Sequence, residues 1–358
     1  MRALIVDPSA YSPPYDEALC AALARRGAEV ELVTSRFTHG ERPPPEGYAR
    51  RELFYRRAAA GAERGPRARQ LAKLATHVGD MHALRRLPAD VVHHQWVPVP
   101  WLDAGLLPPR PRALTLHNTA PRSGRFGRAR ALREVIARMD ALVVHSEHGA
   151  AALRAQGVDA ARVHVIAHGA FVPGPAGALP PELSDDGRPV VLMFGLLRPY
   201  KGVGTLLEAW RGLDGAQLWI AGRPMMDLPP LPVGATLVGR YVSDGEANAL
   251  MRRADVIVLP YEHDERIDAS GVLAAALGAG RATVVSAVGA LAEAAAIGAA
   301  AAVAPGDPAA LGAALAALID DPAARDRLAV AARAAAAGRY SWDAVAERTL
   351  ALYAALTA

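Results

Sequence analysis

Arg198 and Lys201 stand three residues apart in VVLMFGLLRPYKGVGTLLEAW, residues 190–210. The apolar run before them reads as a strand closed by Gly195, which admits close backbone approach of a ligand. A helix pattern begins beside Lys201. A helix N-terminus presents unpaired N–H groups, so two cations at that spot suit a diphosphate. A solvated basic turn accounts for the same residues, since no Walker or G-x-G-x-x-G pattern accompanies them. Lysine is otherwise nearly absent: Lys73 and Lys201 are the two lysines, and arginine supplies the rest of the 40 basic residues. Lys201 therefore stands out against an arginine background.

Two further segments carry candidate chemistry. In DVIVLPYEHDERIDASGVLAAALGAGRATVVS, residues 255–286, an acidic loop with Glu262, Asp264, Glu265 and Asp268 precedes Ser270-Gly271 and an apolar helix. A loop carboxylate there can accept hydrogen bonds from sugar hydroxyls, and the Ser270, Gly271 and Val272 amides suit a phosphate. Acids before a helix are also ordinary stabilisers of its start. In RALTLHNTAPRSGRFGRAR, residues 112–130, His117 and Asn118 follow a strand, the usual place for ligand contacts in a doubly wound sheet. Arg110, Arg112, Arg122, Arg125, Arg128, Arg130, Arg133 and Arg138 surround them with a single acid, Glu134. This stretch, like Arg50–Lys73, reads as a site for an anionic acceptor or acidic membrane surface, or as a solvated arginine face.

Other chemistries are excluded. His93 and His94 are adjacent, so on a strand they point to opposite faces and cannot share a metal. No D-x-D carboxylate pair occurs, and no metal or cofactor is expected. Ser146 and Ser270 lack a G-x-S-x-G elbow. Cys20 is the single cysteine, which rules out an internal disulfide, and it reads as a small buried side chain. A net charge of +4 is too mild to imply nucleic-acid binding. MRALIVDPSAYSPP does not read as a signal peptide, and Ala282–Ala304 is too alanine-rich and too interrupted to span a membrane. A cytoplasmic protein is expected, with peripheral contact at the inner face of a membrane left open.

The elements that must position these residues alternate. Strands are expected at Ala3–Val6, Val30–Val33, Val91–His94, Ala113–His117, Leu142–His145 and Val163–Ala167, with helices such as Tyr15–Arg26 and Gly149–Gln156 between several of them. Phe171–Pro189 is proline-rich and aperiodic. The pattern restarts with strands at Val190–Phe194, Gln217–Ala221, Thr236–Val238, Val256–Pro260 and Thr283–Ser286, and ends in helices. At 358 residues and 52% hydrophobic content, two α/β domains with parallel sheets fit. The expected division is residues 1–172, a linker over 173–188, residues 189–340, and a last helix over 341–358.

Taken together, LVVHSEHGAAALRAQGV, VHVIAHG, GLLRPYKGVGTLLEAW, LWIAG, VGRYVSDGEANALMRRADVIVLPY and SGVLAAALGAGRATVVSAVG resemble a GT-B glycosyltransferase of the retaining family 4 type. The resemblance spans nearly the whole chain and is densest from Ala141 to Ser286. It implies two Rossmann-like doubly wound domains facing each other across a cleft, the C-terminal one holding a nucleotide-sugar donor, UDP- or GDP-linked. It implies that Arg198 and Lys201 bind the donor diphosphate without a metal, that Gly195 lets the donor approach, and that Ser270, Gly271 and Val272 lie at the phosphates. His117 occupies the histidine position near the transferred sugar.

The chain departs from the family in two places. A glutamate pair eight residues apart is common in relatives; here Ile267 and Ala275 stand at those positions, with Glu265 and Asp268 as flanking substitutes. The N-terminal glycine pair is replaced by DPSAYSPPYDEAL, where Tyr11 and Tyr15, together with Asn118, are the expected acceptor contacts. The expected function is hexosyl-type transfer to an acceptor hydroxyl of a glycan, lipid-linked intermediate or small molecule. A non-catalytic GT-B subunit, a nucleotide-sugar epimerase and a Rossmann dehydrogenase are the alternatives, in that order.

Overall fold

The computed structural model describes residues 1–37, 42–56, 66–109, 111–118, 127–262 and 269–358. They divide into two compact units, Met1–Ala167 with Trp342–Ala358, and His168–Ser341.

The first unit is built on seven strands: β1 (Arg2–Asp7), β2 (Glu29–Ser35), β3 (Ala49–Phe54), β4 (Val91–His94), β5 (Arg112–Thr115), β6 (Ala141–Val144) and β7 (Val163–Val165). They run parallel in the order β3-β2-β1-β4-β5-β6-β7. The inner strands β1, β4 and β6 are short and buried along nearly all their length, apolar except for Arg2 and Asp7 at the ends of β1 and His93 and His94 on β4, as a parallel sheet covered on both faces requires. Its helices are α1 (Pro13–Arg25), α2 (Pro66–Leu84), α3 (Pro100–Leu106), α4 (Arg128–Ala137), α5 (Glu147–Ala155) and, from the chain's far end, α12 (Trp342–Thr357). Proline leads α1 and α3, where its missing N–H costs nothing. The strand order reverses between β1 and β4. That is the switch point at which loops diverge and leave a crevice.

The long-range tie of α12 is specific. Tyr353 is fully buried, and its hydroxyl is 2.6 Å from Nδ1 of His93 on β4; the other ring nitrogen of His93 is 2.8 Å from Thr115 Oγ1. Arg25 of α1 pairs with Asp343 at 3.0 Å.

The second unit has six parallel strands, β8 (Val190–Phe194), β9 (Gln217–Ala221), β10 (Ala235–Val238), β11 (Val256–Leu259), β12 (Ala282–Ser286) and β13 (Ala301–Val303), in the order β10-β9-β8-β11-β12-β13. Around them lie α6 (Val203–Trp210), α7 (Asp244–Arg253), α8 (Gly271–Ala279), α9 (Gly289–Ala296), α10 (Pro308–Asp320) and α11 (Pro322–Ala337). Trp210, Leu206, Leu218, Ile220 and Leu315 form the centre of its core. The switch point here lies between β8 and β11. The proline-rich stretch is strapped to this unit: Arg252 Nη2 donates to the Pro173 and Gly174 carbonyls at 2.9 and 3.0 Å, and Arg253 grips Asp185.

Several expectations are revised. The strand expected over Ala113–His117 spans Arg112–Thr115, so His117 lies two residues past its end. β3 falls inside the stretch read as a basic surface, and Arg50 and Arg51 on it pair with Glu17 and Glu31. Arg112 and Arg138 likewise have acidic neighbours, Asp140 and Glu134. Arg110, Arg122 and Arg125 lie outside the described residues. Among the described residues no helix is long and apolar enough to cross a membrane.

Candidate functional site

In the second unit the residues singled out in the sequence gather at the switch point. Gly195 directly follows β8 with φ 99°, and a methyl built on it would stand 3.2 Å from Val272 Cγ2 and 3.9 Å from Lys201 Nζ. The Lys201 ammonium is nearly buried; it donates to the Tyr261 hydroxyl and lies 4.3 Å from the centroid of that ring. The Tyr261 oxygen is 2.8 Å from Ser270 Oγ, which caps α8 by accepting from Leu273 N at 3.3 Å. Tyr261 is 2% exposed, so its hydroxyl hydrogen has no solvent outlet and goes to Ser270. The Ser270 hydrogen is then left for a ligand, beside the N–H groups of Gly271 and Val272 that the first turn of α8 cannot satisfy. Burial pushes the Tyr261 phenol up, so it stays a neutral bridge. Arg198 precedes a short 3₁₀ turn, and its guanidinium has no carboxylate partner among the described residues. Glu265 and Asp268 lie outside the described residues.

Tyr261 escaped the sequence reading because it opens an acidic loop and looks like its first solvated residue. Tyr261→Phe is expected to weaken donor binding about tenfold, the loss of one hydrogen bond to a charged group, with the fold kept. Titration of donor against wild type and variant checks it, and equal affinities would remove Tyr261 from the site.

Glycines let these loops pass. Gly202 has φ 70°, and a Cβ there would lie 1.7 Å from the Pro260 carbonyl oxygen; one at Gly222 would lie 2.0 Å from that of Gly195. Both obstacles are backbone and cannot swing away. Gly202→Ala is expected to cost about 4 kcal/mol or more, read as the loss of the cooperative urea transition of the second unit. A transition unchanged in midpoint would refute the close approach.

In the first unit the strand ends form an aromatic and histidine cluster. His117 stacks on Trp96 with centroids 4.9 Å apart and 17° between planes, and meets the edge of Tyr15 at 4.9 Å. Tyr15 also touches His145 and Trp342, and is buried. Tyr11 is exposed and leans on Trp96 at 5.4 Å. Asn118 is half-buried next to His117. Trp96 Nε1 donates to Ser12 Oγ at 2.7 Å.

Behind this cluster sits a carboxyl pair that the sequence reading did not single out. Asp7, the last residue of β1, accepts from the Ser9, Tyr11 and Ser12 amides at 3.2, 2.6 and 3.1 Å. Asp16 is buried beside it and lines a cavity of about 300 Å³ with Glu17, Thr34, Arg36, Arg42 and Arg50. Burial, then the Asp7 charge, holds the Asp16 carboxyl well above its ordinary value. A carboxyl raised in the folded state loses stability as pH climbs from its unfolded value toward its folded one. Asp16→Asn is therefore expected to raise the urea midpoint at pH 7.5, with the gain shrinking as pH falls toward 4; a constant difference across that range would refute the raised Asp16 carboxyl.

Comparison with known proteins places both units. Residues 17–170 match the family described as Glycosyltransferase Family 4, and residues 188–321 that described as Glycosyl transferases group 1. No curated protein matches the chain. Among solved structures, sucrose-phosphate synthase from Thermosynechococcus elongatus superposes with a TM-score of 0.75 at 19% identity, covering 99% of each chain. HepE from Anabaena, solved with UDP-glucose, gives 0.72 at 18% identity over 99% of this chain and 100% of its own. WaaG, a glycosyltransferase involved in lipopolysaccharide biosynthesis, gives 0.63 at 16% identity over 99% of each. At these identities the likeness speaks for the fold.

Proposed function

The chain is a GT-B glycosyltransferase carrying a family 4 and a group 1 domain, and from that premise we propose that it moves a hexosyl group from a nucleoside-diphosphate sugar to an acceptor hydroxyl, with retention and without a metal. The observation that carries the donor site is the Lys201–Tyr261–Ser270 chain of hydrogen bonds at the β8–β11 switch point. It aims a cation, a hydroxyl and a helix N-terminus at one place, beside a glycine that leaves room for a ligand.

The chemistry follows from the charges. As the glycosidic C–O bond breaks, negative charge grows on the departing diphosphate. Lys201 and Arg198 stabilise that charge in place of a metal, and fixed donors do so without reorganising. In a front-face attack the acceptor hydroxyl passes its proton to the departing phosphate oxygen, so the new bond forms on the face the leaving group vacates. A UDP-linked donor is favoured over a GDP-linked one by the HepE complex with UDP-glucose. Tyr11, Tyr15, Asn118 and His117 supply the acceptor side in this reading, with His117 at the transferred sugar.

A thermal-shift panel of UDP, GDP and UDP-glucose, with and without EDTA, tests this. A ligand at about 100 times its Kd adds about 2.7 kcal/mol of stability. A shift with UDP and UDP-glucose, insensitive to EDTA and lost in Lys201→Ala, is the expected result. No shift with any nucleotide would overturn it. That outcome would favour a non-catalytic subunit, the reading favoured by Ala275, which stands on α8 where relatives commonly carry the second glutamate.

A further inference from the structure

We propose that Gln95 and His145 are positioning residues that set the proton arrangement of His117: His145 holds a hydrogen on Nδ1, and Gln95 presents an amide that turns to meet Nε2 in either charge state. The three residues come from adjacent strands. Gln95 directly follows β4, His117 follows β5 by two residues, and His145 directly follows β6, so they form a row along the carboxyl edge of the sheet beside its switch point. The role in transfer rests on the reading of His117 as the group that meets the sugar; the proton arrangement does not.

The arrangement follows from counting hydrogens. His145 Nδ1 lies 3.0 Å from the Ile166 carbonyl oxygen. A carbonyl only accepts, so that nitrogen carries a hydrogen. Burial lowers the His145 imidazole to about 4, so it is neutral and its Nε2 is bare. That bare nitrogen is 3.2 Å from His117 Nδ1, which must supply the hydrogen. A neutral His117 then has a bare Nε2. It faces Gln95 Oε1 at 3.2 Å, an acceptor against an acceptor, while Gln95 Nε2 is buried and has no partner among the described residues.

A half-turn of the amide resolves both faults. Gln95 Nε2 then donates to His117 Nε2, and no buried donor is left unmatched. If His117 gains a proton, it goes on Nε2, and the unturned amide accepts it through Oε1. Gln95 thus follows the charge on His117 by rotating, and proton exchange is confined to Nε2. Trp96 stacked on one face and the Tyr15 edge keep the ring plane fixed while this happens. A sugar hydroxyl that reaches Nε2 replaces the Gln95 amide hydrogen bond for hydrogen bond.

Nitrogen NMR of the intact chain with ¹⁵N-labelled histidine reads this directly. The expected result is a neutral His117 protonated on Nδ1, the form that free imidazole side chains disfavour. In His145→Phe the acceptor is gone, and His117 is expected to revert to the Nε2–H form, donating to Gln95. In Gln95→Leu the Nδ1 proton stays while the Nε2 resonance moves. Wild-type His117 protonated on Nε2 would overturn the proposal, as would an unchanged tautomer in His145→Phe; if that variant does not fold, the wild-type and Gln95→Leu spectra decide. In the transfer assay His145→Phe is expected to lower kcat at least about tenfold with the donor KM unchanged. A changed tautomer with wild-type kcat would overturn the positioning role. A wild type with the expected tautomer and no transfer would instead defeat the transferase reading and leave the proton arrangement standing.

Discussion

Replacing Lys201 with alanine is expected to cost about 10²–10³ in kcat, the loss of about 3–4 kcal/mol of charge stabilisation that grows toward the transition state. The fold is expected to persist, because Tyr261 keeps its 2.8 Å bond to Ser270 and the capped start of α8 does not depend on the ammonium. The effect should fall on turnover more than on stability. Donor hydrolysis and transfer rates, with a circular dichroism spectrum of the variant as control, check this; wild-type turnover in a folded Lys201→Ala would overturn the site.

The second large effect is an acid limit on the first unit. His93, His94 and His145 are all buried, and burial lowers them to about 3, 4 and 4 from 6.5. Their contribution is fully present above 6.5, where folded and unfolded chains are both neutral. It is lost as pH falls, because the unfolded chain takes up protons that the folded one refuses. At pH 5 each withholds about 2 kcal/mol, so the three withhold about 6, against a total domain stability of about 5–15. The Asp16 carboxyl runs the other way and offsets part of this. Urea titrations between pH 7.5 and 4.5 should show stability falling steeply below 6.5, and more steeply in Asp16→Asn. A flat profile from 7 to 5 would show that these histidines are hydrated.

Much of the architecture was legible because a parallel sheet buried on both faces writes itself as short apolar runs. The edge strand β3 was not, because ARRELF is half polar and its arginines are neutralised only by Glu17 and Glu31, from α1 and the neighbouring strand. Arg198, Lys201, Gly195 and Ser270 were visible as a turn next to helix starts. Tyr261, which joins two of them, was not, since nothing local distinguishes a buried tyrosine from a loop one. The same holds for Gln95 and His145. Each closes an unremarkable strand, and their meaning lies in a row across three strands that sequence spacing does not encode. Tyr15, expected among the acceptor contacts, is buried and forms a wall of the His117 cluster, a packing role that its place in a loop-to-helix segment does not reveal.

The first unit is discontinuous, and that has a consequence for synthesis. Residues 168–341 make a contiguous unit that can close as soon as it has left the ribosome. Residues 1–167 are translated earlier yet finish later, since α1 and β4 wait for α12, whose Tyr353 meets His93. A nascent chain halted after residue 341 would hold its second-made half folded and its first-made half open along one face, with His93 facing water where the Tyr353 hydroxyl belongs.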